Sequence, residues 1–131
     1  MKTARSGFSG FARDRYTTLK ETEDRILATA LRAIWTYASP DMPFGVVGKA
    51  IRQTLLETFA EHESHSVQHT LDAMGEAVLE RHEEVTEIRI AMPNKHHLPV
   101  DLAPFGLENR NEVFVATEAP YGLIEATIRR R

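Results

Sequence analysis

The chain has 131 residues, of which 42% are hydrophobic, and a formal net charge of −3. That length fits one domain, that apolar content suffices for a packed core, and that charge offers no basic footprint for nucleic acid. Cysteine is absent, so neither a disulfide framework nor a thiolate site is available. Phe8-Ser9-Gly10-Phe11-Ala12 alternates weakly and predicts a short strand at most. Thr17 to Thr22 reads as a polar loop. The segment from Arg25 to Tyr37 satisfies two periods. Leu27, Leu31, Ile34 and Trp35 have helical spacing among helix-favouring alanines, whereas Leu27, Thr29, Leu31, Ala33, Trp35 and Tyr37 form one face of a strand; the pattern alone leans to helix. Ser39-Pro40-Asp41-Met42-Pro43 then stops one element and starts a helix. Its inward stripe is Val47, Ile51, Leu55 and Phe59, widened by Phe44 and Leu56. A second helix is predicted from about Ser66 to Arg81, with Val67, Leu71, Met74, Val78 and Leu79 inward. Ile88, Ile90 and Met92 predict a half-buried strand ending in a turn at Met92-Pro93-Asn94-Lys95-His96-His97. Glu112 to Thr117 and Leu123 to Arg129 are further strands, joined through a turn at Pro120-Tyr121-Gly122. The order predicts an α+β domain, an antiparallel sheet with a helix pair on one face.

Several side chains carry chemistry, each with a bland alternative. Asn94 and His96 put an amide that can hold a small neutral molecule beside an imidazole that can move a proton near neutral pH, although His97 fits that role equally by spacing and either ring can be structural. Arg25, after the acidic stretch Glu21 to Asp24, is either a surface ion pair or a planar guanidinium offered to a flat anion. Gln68 is either a clamp on a ring edge or an ordinary first-turn residue, and Phe8 either core or a stacking surface. His62, His65 and His69 have the three- and four-residue spacings of a zinc face. Ser64 and Ser66, however, read as a helix start between them, so the three are not expected to share a face, and no metal site is expected.

Longer strings add a family likeness. Gly10-Phe11-Ala12-Arg13-Asp14-Arg15-Tyr16-Thr17-Thr18-Leu19-Lys20-Glu21-Thr22 followed by Asp24-Arg25-Ile26 resembles urate oxidase (uricase). So do Thr58-Phe59-Ala60, Ser66-Val67-Gln68 before Thr70-Leu71 and Met74, Pro93-Asn94-Lys95-His96, Val100-Asp101-Leu102, Glu112-Val113-Phe114, and Gly122-Leu123-Ile124 before Arg129. The likeness runs from about Gly7 to Arg129 and corresponds to the C-terminal half of a family member. It implies that residues 1–131 form a single tunnelling-fold (T-fold) module of order ββααββ, with Arg25 to Tyr37 a long strand. It also implies assembly into tetramers whose modules close barrels around a tunnel.

The resemblance further implies a reaction without metal or cofactor: urate, dioxygen and water give 5-hydroxyisourate and hydrogen peroxide. Under it, Arg25 grips one edge of the urate anion, Gln68 pairs with another edge beside the Val67 N–H, and Phe8 stacks on the purine face. Leu19 lines the pocket, Asn94 holds dioxygen or water above the ring, and His96 belongs to the proton relay. The family's relay also uses a lysine and a threonine from the N-terminal module of a neighbouring subunit, and nothing here matches them. The expectation is therefore half a site, completed by an N-terminal module on the same or a separate chain. The alternatives are a non-catalytic purine-binding or structural module, and a zinc enzyme akin to the pterin synthases of the same fold. The start Met1-Lys2-Thr3-Ala4-Arg5 lacks the apolar stretch of a signal peptide, and Ile128-Arg129-Arg130-Arg131 is no peroxisomal tripeptide. With no apolar run near the roughly 20 residues of a membrane span, a cytoplasmic protein is expected.

Overall fold

The computed structural model describes residues 5–18, 20–119 and 121–130. In chain order the elements are β1 (Arg5–Ser6), β2 (Ala28–Thr29), β3 (Arg32–Tyr37), α1 (Phe44–Glu61), β4 (Glu63–Ser64), α2 (Val67–Arg81), β5 (Val85–Pro99), a 3-10 turn (Ala103–Phe105), β6 (Phe114–Thr117) and β7 (Leu123–Arg129). β5 organises the sheet. β3 and then β2 run antiparallel along one side of it, β7 and then β6 along the other. A separate parallel pair, β1 with β4, ties the N-terminal segment to the connection between the helices.

The class is the α+β one expected, with both helices on one sheet face. Period two sets that face. Ala33, Trp35 and Tyr37 of β3, Ile88, Ile90 and Met92 of β5, and Ile124 and Ile128 of β7 turn inward, against Val47, Ile51, Leu55 and Phe59 of α1 and Leu71, Met74 and Val78 of α2. Ile88, Ile90 and Met92 are wholly buried, each contributing about 1.5–3 kcal/mol of transfer free energy. The opposite face is polar: Glu87, Arg89, Glu125 and Arg129 stand on it, and Arg89 pairs with Glu125 and Arg129 with Glu87.

Four expectations need correction. Arg25 to Tyr37 is not helical: Arg25 to Leu27 is irregular, and from Ala28 the segment is an interrupted strand, because cross-strand pairing to β5 fixes the two-residue period that its side chains also satisfied. Phe8 to Ala12 forms no strand; only Phe8 makes an isolated bridge, to Thr22. Phe44 and Leu56 are 48% and 45% exposed, so they do not widen the inward stripe of α1. Most consequentially, Met92 to His97 is not a turn. The strand continues to Pro99, and its proline is tolerated because of where the neighbours change. Asn94 donates its N–H to the Gly122 carbonyl on the β7 side, so alternation points the Pro93 nitrogen to the other side. There the β3 pairing stops at Ala91 and the β2 pairing resumes at Asn94, so no ladder donor is lost. The turn expected at Pro120-Tyr121-Gly122 falls partly on residue 120, outside the described residues.

Ser66 caps α2 as its position suggests, its Oγ accepting from the His69 N–H at 3.0 Å. At the other end the Arg130 guanidinium donates to the carbonyl of Leu79, in the last turn of α2 where carbonyls lack in-helix partners, and to those of His82 and Val85 on the way into β5. Between the helices, His62, His65 and His69 share no helix face, as expected from the helix start at Ser66, yet their rings still come together. The His62 and His69 ring centroids lie 4.4 Å apart and those of His65 and His69 5.2 Å apart. They gather because the chain reverses between α1 and α2, not because one helix carries all three. Burial, then the neighbouring His69 and His65, hold His62 below the ordinary imidazole value, with Glu63 opposing. Its Nε2 is buried with no hydrogen-bond partner.

Two outcomes follow from this packing. A Cβ added at Gly75 would lie 2.5 Å from Cδ1 and 3.2 Å from Cβ of Ile128. Gly75→Ala gains about 1 kcal/mol of helix propensity but overpacks at about 1–3 kcal/mol, so the denaturation midpoint is expected to fall, with Ile128→Val restoring part of the loss. A raised midpoint in the single variant would show that this contact does not limit packing. For His62 the unfolded chain binds the proton more readily than the fold does. Its contribution is therefore intact above the ordinary value near 6.5 and is lost as pH falls from there toward the depressed folded value. Urea midpoints measured between neutral and mildly acidic pH are expected to fall less steeply in His62→Phe, and identical slopes would remove His62 as the cause.

Candidate active site

A cleft of about 480 Å³ opens where the first turn of α2, the second half of β5 and the loop before β2 meet. Its most informative wall residue is Arg25. The Arg25 N–H donates to the Ser6 carbonyl at 2.9 Å, and its Nε donates to Ser6 Oγ at 3.2 Å and to the Gly7 carbonyl at 3.0 Å. Gly7 is fixed in turn by its N–H, which donates to the Ser64 carbonyl at 2.8 Å. Thus the short β1–β4 pair seats the guanidinium. Burial draws Arg25 below the ordinary guanidinium value, yet a guanidinium stays charged in proteins. No carboxylate pairs with it among the described residues, and its Nη2 is buried without a hydrogen-bond partner. A partly desolvated cation with a buried, unused donor is suited to receive an anion.

The strand parity that buries Ile88, Ile90 and Met92 carries on to Asn94 and His96, which are half-buried beyond the core. Lying opposite Thr29 and Thr117 respectively, they are held on the cleft wall by ladder pairs rather than by a mobile turn. His97 also lines the cleft, and its Nδ1 lies 3.1 Å from the Lys95 carbonyl. Val67 and Gln68 form the first turn of α2. The first in-helix bond runs from the Thr70 N–H to the Ser66 carbonyl, so the Val67 and Gln68 N–H groups belong to the donors that a helix start leaves unpaired, at its positive end. Val67 itself is anchored in the core, and Gln68 is exposed. Phe8 stacks on Phe11 at 4.6 Å, and the Arg25 guanidinium carbon sits 5.2 Å from the Phe8 ring centroid.

The structure therefore brings Phe8, Arg25, Val67, Gln68, Asn94 and His96 around one cleft. Leu19, the remaining expected pocket residue, lies outside the described residues. Sequence reasoning missed Asp24, Asn111, Phe114 and Ile124, which line the same cleft. Ile124 had a signal in its strand period, opposite Met92; Asn111 had none, because its neighbour in space lies far away in the chain. Among the described residues no set of three His, Cys, Asp or Glu side chains could hold a metal ion, the His62, His65 and His69 group included. None of their helices is long and apolar enough to cross a membrane. A second groove, of about 580 Å³, runs between β3 and α1 past Leu31, Trp35, Leu55 and Leu56; it shares none of the residues named for the first.

Comparison with known proteins places this geometry. The uricase family model matches residues 1–125. The chain is 53% identical over 130 residues to the uricase of Arthrobacter globiformis, covering 99% of this chain and 43% of that protein. It is 41% identical to the uricase of Dictyostelium discoideum, covering 99% of this chain and 45% of that one. The crystal structure of the Arthrobacter globiformis uricase superposes with a TM-score of 0.93 at 54% identity, over 95% of this chain and 44% of that chain. The domain thus has the tunnelling fold of those structures, and it spans somewhat under half the length of the relatives it matches. A match that runs through both walls of the cleft, from the seat of Arg25 to β5, makes this chain a member of the uricase family.

Proposed function

We propose that this chain supplies the substrate-gripping half of a urate oxidase site. The observation that carries the reading is the buried, unpaired Nη2 of Arg25 in a cleft shared with an amide on each wall, Gln68 and Asn94, an imidazole, His96, and an aromatic ring, Phe8. Urate is flat, anionic and electron-rich. Arg25 and Gln68, with the Val67 N–H, grip its edges, and Phe8 offers a ring face. Asn94 holds dioxygen or water over the purine, and His96 moves protons. The chemistry balances without an added carrier: urate loses two electrons and gains the oxygen of water, while dioxygen takes up those electrons and two protons to leave as hydrogen peroxide. Removing a proton from the bound anion raises its reducing power, so the substrate serves as its own reductant. No metal or cofactor is assigned a part.

An N-terminal module, on this or another chain, provides the rest of the relay, and the assembled form is a tetramer of tunnelling-fold modules working in cytoplasmic purine breakdown. The exposed hydrophobic groups support assembly. Ile34 on the outer sheet face, Val46 and Leu56 on α1 and Leu123 on β7 are 45–69% exposed, and among the described residues β3 and β7 each pair only with β5, leaving edges of the kind that association covers.

Urate absorbance in the near ultraviolet, followed with this chain alone and with its N-terminal complement, tests the reading. Turnover is expected only when both modules are present. Urate that persists in the assembled protein would leave a binding or structural module instead. In the assembled protein, Arg25→Ala is expected to weaken urate binding by roughly 10–100-fold. Asn94→Ala is expected to lower kcat by roughly 100-fold, the scale of losing one placed polar group. Unchanged kcat in Asn94→Ala would remove Asn94 from the oxygen step.

A further inference from the structure

Asp24 precedes the guanidinium-bearing Arg25 in the chain, lines the same cleft, and yet does not pair with it. The structure shows what holds it instead. Asn111 donates its side-chain N–H to Asp24 Oδ2 at 2.6 Å, across 87 residues of sequence. The backbone of Asp24 is independently pinned by Thr22, whose Oγ1 donates to the Asp24 carbonyl at 3.0 Å and accepts from the Asp24 N–H at 3.3 Å.

The far side of this link is equally specific. The loop after β5 is closed at its base by Asn109, whose Nδ2 donates to the carbonyls of Val100 at 2.9 Å and Val113 at 2.7 Å, and whose Oδ1 accepts from the N–H groups of Glu112 and Val113. That work does not involve the Asn111 side chain. Asn111 is nonetheless the one non-glycine residue with positive φ, 60°, among the described residues. Asparagine tolerates this region better than most residues, at some cost. The conformation presents its amide to Asp24 and not to its own loop.

We propose that Asn111 is a positioning residue: it clasps the Asp24 carboxylate away from Arg25, so that the arginine keeps its inner donor open for the anionic substrate. The consequence for urate rests on the function proposed above; the clasp itself does not. Without it, Asp24 becomes a competitor tethered one residue away, and a tethered partner acts at high effective concentration. The pair it would form with Arg25 is partly desolvated and so less screened than one at the surface.

The test uses the assembled protein and two substitutions. Asn111→Gly removes the amide while keeping a residue that adopts positive φ freely, so folding is preserved. Asp24→Asn removes the competing charge. A crystal structure of Asn111→Gly without ligand is expected to show Asp24 within about 4 Å of the Arg25 Nη atoms, the range of an ion pair. Urate binding, measured calorimetrically without oxygen so that no turnover occurs, is expected to weaken roughly tenfold in Asn111→Gly. It is expected to recover in the double variant, which has no carboxylate left to occupy Arg25. A purely structural role for the loop predicts the reverse, a double variant at least as weak as the single one. Asp24 remaining apart from Arg25 in Asn111→Gly, or a double variant that fails to recover, overturns the proposal. A wild-type protein that binds no urate refutes the urate reading, and the ligand-free structure of Asn111→Gly then decides the clasp alone.

Discussion

The domain depends on one strand running unbroken through two environments. The first half of β5 lies under the helices and places Ile88, Ile90 and Met92 in the core; the second half emerges beside the first turn of α2 and places Asn94 and His96 on the cleft wall. Both placements follow from the same two-residue alternation. A slip of one residue would turn Glu87, Arg89 and Ala91 toward the helices and remove Asn94 and His96 from the cleft together. The apolar core thus fixes the register of the polar groups, which is why they can be held to a fixed geometry with no bulky support of their own. Pro93 sits where this strand changes partners, and the gap between β2 and β3 makes room for a residue that cannot donate.

Arg25 shows the opposite economy. It lies on an irregular segment, and its position is set by backbone contacts to Ser6 and Gly7 that exist only because β1 pairs with β4. The reversal between α1 and α2 that carries β4 also brings His62, His65 and His69 together and starts α2 at the cleft. The seat of the guanidinium, the helix start and the histidine cluster are one local structure. A half-buried charge whose inner donor goes unused is costly to the isolated fold, and such a cost persists where an occupant relieves it. The electrostatics of the cleft are therefore unfinished without an anion.

How much of this was legible in the sequence divides along physical lines. α1 and α2 were, because helical period and the Ser66 cap are local signals that tertiary contacts did not overrule. The interrupted strand from Ala28 to Tyr37 was not legible from pattern, since the residues of that stretch satisfy both periods and only pairing with β5 decides between them. The continuation of β5 past Met92 was hidden by Pro93 and the polar residues after it, whose usual meaning is a turn. Phe44 and Leu56 were misassigned because a stripe at helical spacing says nothing of where its own edge ends. In the cleft, Arg25, Gln68, Asn94 and His96 each had an ordinary explanation, and family likeness rather than spacing singled them out. The Asn111–Asp24 contact lay beyond any reading of local sequence, since it joins two loops that only the folded sheet brings together.

These features also bear on why such a site would be shared between modules. Everything this chain contributes to the cleft is well backed on one side: β5 by the core, the first turn of α2 by Val67 and Leu71, and Arg25 by the β1–β4 pair. The other side is open, and so are the sheet edges along β3 and β7. Oxidation of a bound anion by dioxygen gains from a cleft that sheds water, because fixed charges and donors act more strongly there and reactive intermediates survive longer. Covering the cleft and covering the edges ask for the same thing, a second layer of polypeptide against this one. On the reading proposed here, assembly and catalysis answer a single requirement: the half of the site that grips the substrate can be rigid by itself, but it becomes dry only when the other half arrives.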